Sequence, residues 1–153
     1  FNRRHLFALG QREFSRARRL KRPLTLLLLD IDHFKEINDA FGHKTGDFVL
    51  KKLAHIIKTY TREIDILGRY GGEEFLVFLP ETSLTDAESV LERLRRKACT
   101  QPVHNGSITI TQTVSIGVAQ VQPGAPYATA IALADKALYS AKNAGRNRIV
   151  KST

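Results

Sequence analysis

The sequence predicts an α/β (α+β) fold, in which a mixed sheet has helices packed against it. Three observations lead there. Residues 24–31 are a nearly continuous apolar run, as a central strand covered on both faces requires. Segments with helical apolar spacing lie before and after that run. Two more short apolar runs, 65–70 and 75–79, join through Gly71-Gly72 as a hairpin.

Taken in order, Asn2 is placed to cap a helix over residues 3–22, whose apolar side holds Leu6, Phe7, Phe14, Ala17 and Leu20. Pro23 ends it. The central strand then closes on Asp30-Ile31-Asp32. Buried carboxylates lose hydration, so acids placed here cap a helix, pair with a base or hold a cation. Residues 33–41 predict a short helix and 42–47 a turn-rich connection. A longer helix comes next, with Leu50, Leu53, Ile57 and Tyr60 in a stripe beside Val49 and Ile56. In the hairpin, glycine reaches backbone angles closed to other residues and lets a ligand approach the main chain. After Pro80 and Ser83, a helix buries Ala87, Val90, Leu91, Leu94 and Ala98.

Asn105-Gly106 predicts a turn into one strand over 108–121, where Thr109, Thr111, Thr113 and Ser115 alternate with Ile108, Ile110 and Ile116. Gly117 marks a bulge or close packing. Past the Gly124–Pro126 loop, a last helix over 127–143 buries Ile131, Ala134, Leu138 and Ala141, Gly145 closes it, and 148–150 form an edge strand. With no repeat, low-complexity stretch or long linker, residues 1–153 predict a single domain.

The 153 residues carry a formal charge of +9, which favours anionic partners without choosing among nucleotides, nucleic acid and phospholipid. Five of the seven residues from Arg16 to Arg22 are basic, as on a solvated helix face or a nucleic-acid patch. The pattern shows no strand with exposed aromatics for base stacking, so nucleic acid is not an expected partner. Cys99 has no partner cysteine, which fits a reducing compartment. No apolar run reaches the roughly 18 to 20 residues that span a bilayer. The chain starts with Phe1 rather than Met, so a soluble, cytoplasmic piece of a longer protein is expected, whose parent could be membrane-anchored.

Chemistry gathers where the central strand and the hairpin meet. Adjacent strands would bring Asp30 and Glu73 to one sheet edge, where their repulsion calls for a divalent cation. Oxygen ligands without a His or Cys cluster suit Mg²⁺, which bridges one or two carboxylates to substrate phosphates. Lys142 and Arg146, at the end of the last helix, either reach those phosphates or compensate the helix dipole.

These residues resemble the GGDEF domain, the catalytic domain of diguanylate cyclases, over essentially the whole chain. The matching segments are Asn2-Arg3-Arg4, Asp30-Ile31-Asp32-His33-Phe34-Lys35-Glu36-Ile37-Asn38-Asp39, Phe41-Gly42-His43 with Gly46-Asp47, Gly71-Gly72-Glu73-Glu74-Phe75, residues 114–119, and 134–147. The Asp-x-Leu-Thr segment that usually precedes Asn-Arg-Arg is not present, which bears on coupling to an upstream sensor or dimerisation region. The resemblance implies a central mixed, mainly antiparallel five-stranded sheet with about five helices, of the nucleotidyl cyclase or palm type. It implies that two domains, each holding one GTP, meet as a homodimer and form cyclic di-GMP and two pyrophosphates.

Further implications are residue by residue. Asp30, the Ile31 carbonyl, Glu73 and Glu74 would hold Mg²⁺, with Mn²⁺ a substitute, and Glu73 would assist loss of the 3′-hydroxyl proton. Asn38 and Asp47 would read guanine. The main-chain N–H groups of His33, Phe34 and Lys35 would cradle phosphates, opposite Lys142 and Arg146. Arg62 and Asp65, in Arg62-Glu63-Ile64-Asp65, stand five residues before the signature as in the family's inhibitory product site, to which Arg93 would add a third group. The tetrad also reads as an exposed ion pair. A non-catalytic cyclic di-GMP receptor is the alternative function.

Overall fold

The computed structural model describes residues 2–152. Asn2 caps the first helix, α1 (Arg3–Leu20), its side chain accepting from the His5 N–H at 3.0 Å. The helix stops two residues short of the expected end because Lys21 turns left-handed, at φ 53°, ahead of Pro23. Leu20, expected on the buried side, is 48% exposed because it lies in that last turn, past the sheet.

All eight residues of β1 (Leu24–Ile31) are buried. Its alternation serves two cores. Leu27, Leu29 and Ile31 pack, with Phe75, Val77 and Leu79, beneath α3 (His43–Tyr60) and α4 (Leu84–Thr100). Leu24, Leu26 and Leu28 pack, with Leu76 and Phe78, beneath α1 and α5 (Tyr127–Asn143). Strands β2 (Ile66–Arg69) and β3 (Glu74–Pro80) form the hairpin, and β6 (Val114–Gln120) and β7 (Ile149–Lys151) complete a sheet of order β2-β3-β1-β6-β7. Among the described residues, only the β6–β7 pairing is parallel.

Two expected segments fold differently. Residues 43–47 belong to α3 rather than to a turn, because Gly42 makes the connection from α2 (Phe34–Phe41) alone, at φ 86°. The single strand over 108–121 is instead broken at 111–113. Its first part pairs with β4 (Val103–Asn105) as β5 (Ile108–Ile110), in a separate two-stranded sheet, while β6 joins the main one. Alternating threonines cannot reveal which partner a strand takes.

Gly117 is a close-packing position. A Cβ there would collide with the Ala134 carbonyl and lie 2.8 Å from Leu138 Cα, both backbone atoms of α5. That bare site lets α5 lie directly on β6 and carries the helix end toward the edge where β1 ends in Asp30. Among the described residues, no helix is long and apolar enough to cross a membrane.

Candidate functional site

The β1–β3 register places Asp30 opposite Glu74, and the Ile31 N–H reaches the Glu73 carbonyl at 3.4 Å. Alternation turns Asp30 toward α5, where Lys142 Nζ donates to its Oδ2 at 2.8 Å. Asp30 is 4% exposed. Burial pushes its carboxyl up to about 6 against the Lys142 ammonium, and repulsion from Glu73 and Glu74 adds to the rise. Burial also raises Glu74, opposed by Lys142 and reinforced by Asp135 and Glu73. The corner therefore holds more negative charge than one ammonium offsets.

That excess charge fits a divalent cation. Among the described residues no three His, Cys, Asp or Glu side chains form a ready-made metal cage. Mg²⁺ needs none, since it keeps several waters and completes its shell with substrate phosphates.

The Gly71-Gly72 loop closes the expected hairpin with absent side chains, not with special backbone angles. Positive-φ glycines among the described residues are Gly42, Gly106, Gly124 and Gly145, so neither loop glycine uses the left-handed region. Arg69 shapes the loop instead, its Nε donating to the carbonyls of Gly71 at 3.1 Å and Gly72 at 2.9 Å. A Cβ on Gly71 would come within 2.8 Å of the Glu74 carboxylate, whereas one on Gly72 would meet open space. Gly71 makes room for an acid, and Gly72 keeps the approach clear. Arg3 secures the loop from outside, its guanidinium 5.1 Å from the Tyr70 ring centroid.

Helix α2 starts next to the acids. His33 turns left-handed, at φ 56°, and aims the free amides of the first helical turn outward from the end of β1. Its ring Nδ1 lies 3.3 Å from Glu36 Oε1. The Glu36 carboxyl is held below its usual range by its own backbone N–H and by His33, with Arg146 contributing charge. Arg146 is thus close enough to Glu36, in the first turn of α2, for its charge to be felt there. Asn38 and Asp47 lie on α2 and α3 where the two helices pack together. Asn38 Oδ1 is buried with no hydrogen-bond partner, and any Cβ on Gly46 would collide with it. Asp47 is exposed.

Arg62 and Asp65 meet at the start of β2. Arg62 donates to Asp65 through its main-chain N–H at 2.6 Å and its guanidinium at 3.1 Å, and also reaches the Pro80 carbonyl and Thr82 hydroxyl. The Asp65 side chain is only 2% exposed, against 52% for Arg62. Arg93 turns to the Tyr60 carbonyl and ring, two residues from Arg62. A groove of about 820 Å³ runs from this pair between α3 and β2 to Arg69 and Phe75. It lies on the α3 side of the sheet, so Asp30 and Lys142 do not line it.

Three contributors have roles that the sequence did not specify. Asp32 accepts from Thr113, Ser115 and the Asn147 N–H. Arg69 shapes the signature loop, and Gly46 seats Asn38. For Asp32 a signal existed, since it shares β1's alternation with Asp30. The other two depend on contacts that the linear pattern does not carry.

Sheet order, acid corner and facing helix termini define an α/β domain of the nucleotidyl cyclase type. The model for "Diguanylate cyclase, GGDEF domain" matches residues 1–148, and the chain belongs to that family. Diguanylate cyclase A of Treponema denticola is 45% identical over 133 residues, covering 86% of this chain and 36% of that protein. This chain therefore spans about a third of the length of that curated relative. The GGDEF domain of DgcB from Caulobacter crescentus, solved in complex with c-di-GMP, superposes with TM-score 0.94 at 33% identity, covering 98% of this chain and 90% of that one. The active GGEEF domain of a diguanylate cyclase from Vibrio cholerae does so with TM-score 0.93 at 37% identity, covering 99% and 97%.

Proposed function

We propose that residues 1–153 are one GGDEF catalytic domain that condenses two GTP into cyclic di-GMP and two pyrophosphates, as a homodimer. The carrying observation is the buried, charge-crowded Asp30 beside Glu73 and Glu74, within reach of Lys142. A carboxylate kept there at a cost to stability suits a centre completed by a cation and a triphosphate. Asp30, the Ile31 carbonyl, Glu73 and Glu74 would hold Mg²⁺, or Mn²⁺ in its place, and the chemistry it would supply there is charge neutralisation of the triphosphate and easier ionisation of the attacking hydroxyl.

The chain's own groups do the rest. Asn38 and Asp47 orient guanine, the carboxylate accepting from its N1 and N2 donors. The α2 amides of His33, Phe34 and Lys35 cradle the terminal phosphates, with Lys142 and Arg146 opposite. Glu73 takes the proton from the 3′-oxygen of one GTP. That oxygen bonds to the α-phosphorus of the partner's GTP, and the bond to pyrophosphate breaks. The reciprocal transfer closes the ring. Each domain supplies half of the site.

The test is product formation from GTP and Mg²⁺, followed by mass against protein concentration. Rate should rise more steeply than linearly, about fourfold per doubling where dimers are scarce. Absence of product at every concentration, with cyclic di-GMP still bound, would instead establish the receptor function.

Arg62, Asp65 and Arg93 form the product site through which cyclic di-GMP restrains its own synthesis. Arg62→Ala should weaken inhibition at least about tenfold, the loss of a charge-assisted pair. It should also lower stability by about 1 kcal/mol, because Arg62 bonds Pro80 and Thr82 as well. Inhibition curves and urea unfolding on the same preparations separate the two effects, and an unchanged inhibition constant would remove Arg62 from the product site.

A further inference from the structure

The β4–β5 hairpin lies outside the main sheet and takes no part in the chemistry described above. Its turn is made by Gly106, at φ 61°, which leaves the Asn105 side chain free for another task. That side chain reaches sixty residues back, its Nδ2 donating to Thr45 Oγ1 at 3.1 Å. Thr45 is 3% exposed, in the first turn of α3, and the hairpin is itself anchored there by Val103 and Ile110 in the core.

The two residues after Thr45 give the bond its meaning. Gly46 sits so tightly on Asn38 that any side chain would collide with the amide, and Asp47 comes next. Asn38 Oδ1 is buried against Gly46 without a hydrogen-bond partner, so the amide's placement depends on how closely α3 approaches it. The separation of Asn38 from Asp47 is therefore set by how the first turn of α3 rests on α2. An exposed helix start frays readily. One fixed to a core-anchored hairpin by a buried hydroxyl does not.

We propose that Asn105 is a positioning residue for base recognition, acting through Thr45 to hold Asp47 in register with Asn38. The inference rests on the reading that Asn38 and Asp47 contact guanine. Asn105 touches no substrate. It restricts α3 to the placement in which the carboxylate of Asp47 meets the N1 and N2 donors of the base, and so acts on selectivity rather than on phosphoryl transfer.

The test titrates hydrolysis-resistant analogues of GTP and of inosine triphosphate, which lacks the 2-amino group, by calorimetry. Thermal unfolding is recorded for each protein, and GTP turnover is measured in parallel. Asn105→Ala should weaken the guanosine analogue roughly fivefold, the effect of one hydrogen bond, and narrow its margin over the inosine analogue. The KM for GTP should rise correspondingly, with kcat within about twofold. Thr45→Val should behave like Asn105→Ala, Thr45→Ser like the parent, and the double variant Asn105→Ala/Thr45→Val no worse than either single one. Equal weakening of both analogues in step with lowered thermal stability would overturn the proposal, as would parental binding by Asn105→Ala. A parent that itself binds both analogues equally would refute guanine contact by Asn38 and Asp47, and the proposal with it.

Discussion

Asp30→Asn should abolish cyclic di-GMP synthesis, by on the order of a thousandfold or more, while leaving the metal-free fold at least as stable as the parent above pH 6. A thousandfold corresponds to about 4 kcal/mol of transition-state stabilisation, within what a lost metal-holding carboxylate removes. The stability effect has the opposite sign for a definite reason. The Asp30 carboxyl stands near 6 when folded, against 3.8 ordinarily. Between about pH 4 and 6 the folded chain thus binds more protons than the unfolded one, and stability falls as pH rises through that window. The difference amounts to roughly 3 kcal/mol, lost in full above it.

Asparagine keeps the shape and never ionises, so its contribution to the slope vanishes, while Glu74, shifted in the same direction, retains its own. Urea unfolding of parent and variant from pH 4.5 to 7.5, without metal, measures the difference, and product mass measures activity. A variant that still makes product would remove Asp30 from the centre. A variant less stable than the parent at pH 7.5 would show that the Lys142 bond outweighs the burial cost. The two readouts together describe a residue kept for chemistry at the expense of the fold.

Much of that corner was legible in the sequence because it depends on period and order. An apolar strand ending in Asp30, an adjacent hairpin carrying Glu73 and Glu74, and a helix ending near Lys142 need only strand alternation and antiparallel pairing to converge. Segments whose conformation is set by distant contacts were not legible. The turn-rich composition of residues 42–47 describes Gly42 correctly and the rest wrongly, because Gly46 packs on Asn38 and Thr45 bonds Asn105, contacts that fit a helical first turn. The threonine alternation over 108–121 describes two strands in two different sheets, since propensity does not specify a partner. Glycines in the signature loop were expected both for special backbone angles and for absent side chains. Only the second applies, and a guanidinium from the preceding strand does the shaping.

The last residue of this kind is Asp32, and Asp32→Ala should cost about 3 kcal/mol and displace Arg146. Its carboxylate is 4% exposed and accepts hydrogen bonds of 2.6 Å from both Thr113 and Ser115 and of 3.0 Å from the Asn147 N–H. Ser115 is fully buried, so alanine leaves its hydroxyl without that acceptor. The third bond carries the functional consequence. Arg146 and Asn147 are both left-handed, at φ 63° and 45°. Asparagine tolerates that region, but arginine is destabilised in it, by about 1 kcal/mol or more. Such a pair persists only while neighbours enforce it, and the Asp32 carboxylate is what grips it from the strand side, as Arg95 does from α4 through Asn147 Oδ1. Released, residues 146–147 should relax, and the proposed phosphate clamp should swing from the start of α2. Asp32→Asn keeps one acceptor and should lose about half as much stability. Urea unfolding gives the first effect, and a raised KM for GTP in the folded fraction gives the second. Parental stability in Asp32→Ala would mean that water or a rotated hydroxyl replaces the carboxylate. Parental KM would mean that the left-handed pair holds without it.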